Sequence, residues 1–307
     1  MRKNEQKGKF ILIETQIKQD IFIENGKQID DFELIREKWG VHVYRCKYDG
    51  SPAVVKYFEN ESDKREIENY RILNKYNIPT IKILAYGKSS IVMEDISASD
   101  DWRLGVEEDL NDAAVAKSLA HWYFNFHEKG LTMPELNKLE SDFDKINVAN
   151  LNMLCEKLPK AADTFKYILS RYDKLRKRLD ELSYTLTYND FYWSNFIVRK
   201  DKREALMFDY NLLGRGCRYS DIRNVCWSMS KEAGAMFVDN YTRLYINKYG
   251  TYRTAEETAE RQIDDVMDSL HGLILAFERK HFHKLAEYEK DESTDVTLLK
   301  SAKELLE

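Results

Sequence analysis

The chain has 307 residues, of which 43% are hydrophobic and 33% charged, and its formal net charge is −5 at pH 7. This length allows about two domains, and the composition is that of a soluble protein with real hydrophobic cores. The negative net charge argues against nonspecific nucleic-acid binding, which needs a basic surface to displace counterions.

Three features of the sequence argue against membrane and secreted classes. The first residues, Met1 to Lys7, contain no apolar stretch behind a basic start, so they do not form a signal-peptide pattern. The longest apolar runs, such as 272–277, are far too short to span a membrane. The four cysteines lack Cys-x-x-Cys spacing and are interpreted as reduced thiols. We therefore expect a cytoplasmic protein with neither a membrane nor a nucleic-acid partner.

The N-terminal third is predicted to form a small antiparallel sheet with one main helix. Residues 1–30 contain apolar stretches that fit either strands or one helix, and the sequence does not decide between them. From residue 31 onward, alternating apolar residues and the hairpin signal Asp49-Gly50 predict a β-meander. The predicted elements are strands over 32–36, 43–48 and 53–58, a helix over 61–76 with its N-cap region at Ser62, and strands over 81–86 and 90–96.

The remainder of the chain is predicted to be mainly helical. A polar stretch over 97–105 is the best domain boundary, so we predict an N-terminal lobe over 1–96, a linker over 97–105 and a C-terminal lobe over 106–307. The one β-like island in this part spans 185–210. Helical periodicity covers 107–129, 161–182, 219–231, 235–249, 254–289 and 294–306.

The β island carries an acid, an amide and a second acid on short apolar segments. Asp190 precedes Asn195 by five residues, and Asp209 follows Asn195 by fourteen. Such an arrangement suits a reaction on a nucleotide's phosphates, because one Asp can accept a proton from a hydroxyl while Asn and the second Asp hold Mg²⁺. Taken alone, each residue is a weak signal, since Asp and Asn are common in turns.

With these motifs in order, the chain resembles the aminoglycoside phosphotransferase and choline kinase family from about residue 31 to 290. The most specific part is Asn189-Asp190 through Asn195, followed by Phe208-Asp209-Tyr210 and Arg218-Tyr-Ser-Asp221. The resemblance implies an α+β, bilobal protein-kinase-like fold, with a small antiparallel β N-lobe and a larger, mostly helical C-lobe. It also implies ATP, with GTP as an alternative, and Mg²⁺.

The resemblance assigns roles to the central residues. Lys56 matches the third-strand lysine that contacts the α- and β-phosphates, and Glu66 matches the carboxylate that pairs with it, with Glu68 as the less favoured neighbour. Asp190 matches the catalytic base. Asn195 and Asp209 match the Mg²⁺ ligands.

Further positions match the supporting parts of the family's site. Gly40 stands at the tip of the loop that covers the phosphates. Met93, Glu94, Asp95 and Ile96 match the hinge that binds adenine. Asp221 matches a buried acid that steadies the catalytic loop.

Three positions depart from the family pattern. Tyr188 stands where the family has His two residues before the catalytic Asp. The phosphate loop has Gly40 alone in place of a glycine-rich motif, and the second metal motif, beginning at Asp209, reads Asp-Tyr-Asn. These departures leave room for a catalytically weak kinase-like binding or coat protein on the same fold.

The acceptor is expected to be a small cationic molecule bound by carboxylates or aromatic faces. Asp264 and Asp268, one helical turn apart, and the aromatic residues Tyr210 and Trp227 are the candidates, although a solvated helix face also explains the two acids. An aminoglycoside-type antibiotic is the first expectation, which would imply antibiotic resistance, and choline or ethanolamine is the alternative. Either a monomer or a homodimer is compatible with the sequence.

Overall fold

The computed structural model describes residues 2–307, and the side chains of residues 8–291 and 293–307. The prediction that the chain lacks a signal peptide rests on Met1 to Lys7, whose side chains lie outside this described part. The chain divides into two compact units. The first comprises residues 1–125, 190–213 and 228–241, and the second comprises residues 126–189, 214–227 and 242–307. The lobe boundary at 97–105 stays a prediction.

Strands and helices are as follows. The strands are β1 Ile29–Lys38, β2 Val41–Tyr48, β3 Ser51–Phe58, β4 Ile83–Tyr86, β5 Ser90–Glu94, β6 Trp102–Leu104, β7 Thr185–Thr187, β8 Phe196–Arg199, β9 Ala205–Met207 and β10 Gly214–Gly216. The helices are α1 Arg2–Asn25, α2 Arg65–Lys75, α3 Ala113–Gly130, α4 Val148–Lys157, α5 Ala162–Leu169, α6 Tyr172–Asp180, α7 Arg218–Ser228, α8 Lys231–Tyr249, α9 Thr254–Glu278, α10 Phe282–Lys290 and α11 Glu292–Leu306.

The first five strands form one antiparallel sheet in the order β1-β2-β3-β5-β4. The predicted meander is confirmed, with strand β2 paired to β1 on one side and to β3 on the other. Asp49 and Gly50 form the turn between β2 and β3 with φ angles of 52° and 80°, the left-handed conformation that a two-residue hairpin requires. This sheet presents Lys56 on a rigid central strand.

The sequence of residues 1–30 fits either strands or one helix, and most of this segment forms helix α1. Ile13, Ile17 and Ile21, spaced four apart, lie on one face of the helix and are buried with residues of the sheet. The Asp20 carboxylate fixes the helix to the β4–β5 turn, because it accepts hydrogen bonds from the backbone N–H of Lys88, the backbone N–H of Ser89 and the Ser90 hydroxyl. The helix is therefore an integral layer of the first unit.

A second sheet of the first unit carries the chemistry-bearing loops. Strands β6, β8 and β9 pair in that order and antiparallel, with Phe196 opposite Met207. The predicted linker over 97–105 thus contains a strand that pairs with the β island. In the second unit, β7 pairs with β10 at Gly214–Gly216, so strand structure continues beyond the predicted end at 210.

The helical predictions are confirmed in outline and corrected in detail. Helix α2 begins at Arg65 after a 3₁₀ turn over Glu61–Lys64, so the predicted N-cap region at Ser62 is wrong. Asn60 occupies the N-cap position of that turn without a side-chain capping hydrogen bond. The predicted helix over 161–182 is two helices, α5 and α6, and the one over 254–289 is α9 and α10. Helix α4 was not predicted.

Helices α4, α5, α6, α9, α10 and α11 enclose the hydrophobic core of the second unit. Its centre contains fully buried leucine, isoleucine and aromatic side chains, such as Leu151, Phe165 and Leu270. In the described part of the chain, no helix is long and apolar enough to cross a membrane.

Candidate active site

Lys56 is the cation at the centre of the candidate site. It lies on β3 between register partners Val43 on β2 and Ile91 on β5, so both neighbouring strands hold its backbone. Its Nζ lies 2.6 Å from Glu66 Oε2 and 2.8 Å from Asp209 Oδ1. Burial lowers the pKa of Lys56, but the two carboxylates outweigh burial and raise the pKa above its ordinary value. The lysine therefore remains charged.

Glu66 is the carboxylate on helix α2 that faces this lysine. It is 1% exposed, and its Oε1 has no hydrogen-bond partner among the described residues. Burial raises the pKa of Glu66 to about 7, which the nearby Lys56 only partly offsets. Glu68 instead lies on the surface, near Arg71. Helix α2 thus places Glu66, the favoured of the two predicted partners, in contact with Lys56.

Asp190 and Asn195 are joined by hydrogen bonds within one short loop. Asn195 Nδ2 donates to the backbone oxygen and to Oδ2 of Asp190, both at 3.0 Å. The residue before Asp190, Asn189, has a φ of 64°, a left-handed conformation that non-glycine residues rarely adopt. Unusual backbone conformations of this kind cluster at functional sites, and this one turns the chain directly before the predicted base.

Asp209 follows strand β9 and is fixed by its own backbone. Its φ is 64°, and its N–H donates to the Tyr70 hydroxyl at 3.0 Å. One residue earlier, the Phe208 N–H donates to the Asn195 carbonyl at 2.9 Å. The β8–β9 hairpin therefore brings Asn195 and Asp209, fourteen residues apart in sequence, to the same end of two paired strands.

The electrostatic environment of Asp190 makes it a stronger base than an ordinary aspartate. Burial and the negative charge of Asp209 raise the pKa of Asp190 to about 6, and the Asn195 hydrogen bond and the charges of Lys56 and Lys38 oppose this rise. The ionised form still dominates at neutral pH. A carboxylate with a pKa near the working pH is suited to general-base catalysis.

The donor atoms at this site fit Mg²⁺. Asn195 and Asp209 offer an amide oxygen and a carboxylate, the hard oxygen ligands that Mg²⁺ prefers, and few protein ligands are needed when phosphates supply the others. Asn195 Nδ2 is engaged with Asp190, so Oδ1 is the atom that Asn195 would offer. Among the described side chains, no group of three or more His, Cys, Asp or Glu could hold a metal by itself.

The predicted nucleotide-binding segments lie on the five-stranded sheet and its continuation. Gly40 has a φ of 84°, and a Cβ there would lie 2.8 Å from Asn60 Nδ2, so the loop tip requires glycine. Met93 and Glu94 end strand β5, and Ile96 begins a 3₁₀ turn capped by the Asp95 carboxylate. Their adenine-binding role stays a prediction.

In the second unit, Asp221 holds the backbone that directly precedes Asp190. Its carboxylate accepts hydrogen bonds from the N–H groups of Tyr188 and Asn189 at 2.9–3.1 Å. His127 Nε2 lies 3.2 Å from the same carboxylate, and burial lowers the pKa of His127. Tyr188, which replaces the family's histidine, is fully buried. Because Asp221 binds the backbone N–H of this residue, the substitution leaves this anchoring of the backbone in place.

The predicted acceptor residues differ in accessibility. Tyr210 is 0% exposed and its hydroxyl donates to the Met207 carbonyl, so this placement argues against the predicted aromatic contact with an acceptor. In the second unit, Asp264 is buried, and its Oδ2 lies 2.5 Å from Arg223 Nε. Asp268 Oδ1 lies 2.9 Å from Arg223 Nη2. One guanidinium thus offsets both carboxylates. Trp227 is 77% exposed.

Three residues of this site were given no role from the sequence. Tyr70 and Asn69 on α2 bind the backbone of Asp209 and Tyr210, and the charge of Lys38 acts on Asp190. Periodicity predicts the helix that carries Tyr70, but it does not identify the partner of a hydroxyl group. Lys38 lies two residues before Gly40 at the phosphate-loop tip, which was its one sequence signal.

The raised pKa of Asp190 predicts that Asp190→Asn stabilises the fold at high pH. An acid whose pKa is higher in the folded than in the unfolded state destabilises the fold above the folded value and has no effect below the unfolded one. Because Asp190 keeps some solvent contact, we expect a gain of about 1–2 kcal/mol at pH 8 that disappears near pH 4. Urea unfolding of the variant and the wild type at both pH values measures this difference in the free energy of unfolding. The matched control is Asp201→Asn at a surface aspartate whose pKa is lowered by Arg199, and an equal gain in both variants would contradict the assignment.

Comparison with known proteins provides an independent test of the resemblance. Residues 31–257 match the phosphotransferase enzyme family. Comparison with curated proteins found no match. Among solved structures, choline kinase from Cryptosporidium parvum Iowa II is similar, with 14% sequence identity, a TM-score of 0.57 and coverage of 96% of both chains.

Two antibiotic phosphotransferases share the same fold. A spectinomycin phosphotransferase in complex with ADP and spectinomycin has 12% identity and a TM-score of 0.52, covering 95% of this chain and 94% of its own. A macrolide 2'-phosphotransferase from Brachybacterium faecium has 12% identity and a TM-score of 0.52, covering 89% of this chain and 93% of its own. At such low sequence identity, these structural similarities establish the fold alone. The shared fold confirms the predicted protein-kinase-like α+β class. The family match over most of the sequence shows that the chain belongs to the phosphotransferase enzyme family and is a small-molecule O-phosphotransferase.

Proposed function

We propose that the protein transfers the γ-phosphate of ATP, or alternatively GTP, to a hydroxyl group of a small cationic molecule. The observation that carries this proposal is the cluster in which Lys56 bridges Glu66 and Asp209, close enough for the charge of Asp209 to act on Asp190. This cluster combines a phosphate-binding cation, metal ligands and a base. The similar fold of a phosphotransferase crystallised with ADP supports a nucleotide donor.

In the proposed reaction, Asp190 accepts a hydrogen bond from the acceptor hydroxyl and takes its proton. The hydroxyl oxygen forms a bond to the γ-phosphorus while the bond from that phosphorus to the bridging oxygen breaks, so the products are the phosphorylated acceptor and the nucleoside diphosphate. Asn195 orients Asp190 through its amide and so keeps the base in place. Because phosphoryl transfer has a loose transition state, positioning and electrostatics supply most of the rate.

Lys56 is proposed to hold the α- and β-phosphates of the nucleotide. Glu66 holds the lysine ammonium through a 2.6 Å hydrogen bond, and the register of β3 between two strands limits the movement of the backbone that carries it. Asn195 and Asp209 would hold Mg²⁺, which when bound neutralises charge on the transferring phosphate. On metal binding, the Asp209 carboxylate would exchange part of its interaction with Lys56 for the metal.

Two acceptor classes fit the cationic requirement. An aminoglycoside-type antibiotic is the first candidate, and the shared fold of spectinomycin and macrolide phosphotransferases supports it. Choline or ethanolamine is the second, because the exposed Trp227 could stack against a quaternary ammonium. Arg223 offsets Asp264 and Asp268, which leaves less negative charge for a polycation and favours the smaller acceptors. A cytoplasmic location and antibiotic resistance remain parts of this proposal.

A panel of acceptors in a coupled ADP-release assay tests the proposal directly. Aminoglycosides, choline, ethanolamine and sugars are each offered with ATP and Mg²⁺, and we expect turnover with one cationic alcohol class. Asp190→Asn should reduce kcat about 10²- to 10⁴-fold while nucleotide binding persists, since it removes only the base. Wild-type turnover by this variant would exclude Asp190 as the base. ATP binding without turnover on any acceptor would favour the kinase-like binding or coat protein.

The metal role of Asp209 is tested by nucleotide binding. We expect Asp209→Ala to abolish the increase in melting temperature that Mg²⁺ adds to that caused by ATP alone, because one of two protein ligands is lost. Asp201→Ala on the β8–β9 connection is the matched control, since it removes a nearby surface carboxylate. An unchanged Mg²⁺-dependent shift in Asp209→Ala would remove Asp209 from the metal site.

A further inference from the structure

The outer face of helix α1 exposes a stripe of uncharged residues. Its four large apolar side chains, Ile11, Leu12, Phe22 and Ile23, are 55%, 59%, 56% and 73% exposed. Thr15 and Gln19 lie between them and are exposed as well. One residue in three is charged in the whole chain, yet the three charged residues between residues 11 and 23, namely Glu14, Lys18 and Asp20, all project outside this stripe. A helix that is apolar on both sides is normally covered on both sides.

The opposite face of α1 is firmly attached to its own chain. Ile13, Ile17 and Ile21 are almost completely buried against the sheet, and Asp20 holds three donors of the β4–β5 turn. The helix cannot rotate to bury its outer stripe without exposing these three isoleucines. The outer apolar residues therefore call for a partner from outside the chain.

The stripe is symmetric about Ile17, the centre of the buried face. Ile11 and Ile23 lie six residues on either side of Ile17, about 9 Å along the axis, and Leu12 and Phe22 lie five residues on either side. At about 100° per residue, all four project within about 60° of the direction opposite to Ile17. The residues in between follow the same symmetry, since Thr15 and Gln19 lie two residues on either side.

A two-fold axis perpendicular to such a helix makes the stripe complementary to itself. In an antiparallel pair centred at Ile17, Ile11 of one copy lies level with Ile23 of the other, and Leu12 lies level with Phe22. Each end of the helix pair then closes a cluster of these four apolar side chains, two from each copy, and the uncharged polar residues Thr15 and Gln19 meet in the middle. A surface that is its own complement under a two-fold axis is the requirement for an isologous dimer.

We propose that α1 is a homodimerisation surface, on which a second copy of this chain packs its own α1 antiparallel. Eight large apolar side chains, each about half exposed or more in the single chain, together with the residues between them bury on the order of 1,000 Å², about the minimum for a biological interface and within the range of weak, transient ones. The expected dimer is therefore concentration-dependent. This proposal is independent of the acceptor and of the phosphotransfer reaction.

Sedimentation velocity of the full chain over a dilution series tests the surface. We expect wild-type protein to shift from monomer to dimer with increasing concentration. Ile11→Lys and Phe22→Glu should each weaken the dimer about 100-fold or more, because each variant places a charge in both apolar clusters. Both residues are exposed, so the variants should keep the wild-type melting temperature and ATP binding. Val296→Lys, at an exposed apolar position on α11, is the matched control and should dimerise normally.

An equimolar mixture of Ile11→Lys and Phe22→Glu tests the antiparallel register itself. In the mixed dimer, the introduced lysine of one copy and the introduced glutamate of the other share one cluster, while the second cluster keeps its native residues. We expect the mixture to dimerise more strongly than either variant alone. Wild-type protein that stays monomeric at every concentration would overturn the proposal, and so would single variants that dimerise like Val296→Lys. A mixture no stronger than its components would overturn the antiparallel arrangement.

Discussion

The candidate site depends on one buried ammonium group shared between carboxylates. Lys56 contacts Glu66 and Asp209 directly, and the charge of Asp190 acts on the same cluster. Removing one partner of a buried ion pair typically costs several kcal/mol because the other charge is left unpaired, so each member constrains the rest. The sheet, helix α2 and the β8–β9 hairpin each contribute one side of this interaction.

The charges in this cluster do not cancel, and the imbalance accounts for its chemistry. Lys56 faces three carboxylates, so negative charge is in excess when all are ionised, and Lys38 only partly offsets this excess at Asp190. The pKa of Glu66 rises to about 7 and that of Asp190 to about 6, in both cases through burial first and neighbouring carboxylates as well. A divalent cation on Asn195 and Asp209 would balance the excess. Burial, together with the negative charge of Asp209, gives Asp190 its basicity.

The parts of the site that depend on local sequence could be predicted. The Asp49-Gly50 turn set the register of the meander and so placed Lys56 on a central strand, and the spacing of Asp190, Asn195 and Asp209 indicated the second sheet. Long-range contacts could not be predicted. The hydrogen bond from the Asp209 N–H to the Tyr70 hydroxyl joins residues 139 positions apart, and neither residue type indicates this contact.

The predictions made from residue type and spacing were least successful where another residue binds or packs against the predicted one. Asp264 and Asp268 have the spacing of a cation site, but Arg223 on another helix binds both. Tyr210 follows a metal ligand, yet its ring packs edge-to-face against Tyr70 at 5.1 Å between centroids and is buried. Helix α1 was ambiguous because its apolar residues point both ways, which is also why it can cover the sheet and expose a second stripe.

The pH dependence of kcat/KM with the acceptor that turns over tests the central claim most directly. If Asp190 acts as the base in this excess of negative charge, kcat/KM should rise with pH and level off above an apparent pKa of about 6. The value of kcat/KM rises with pH because the ionised form of Asp190 is the active base. An acid limb near pH 4, the ordinary range for an aspartate, or a rate that does not change with pH, would contradict the account.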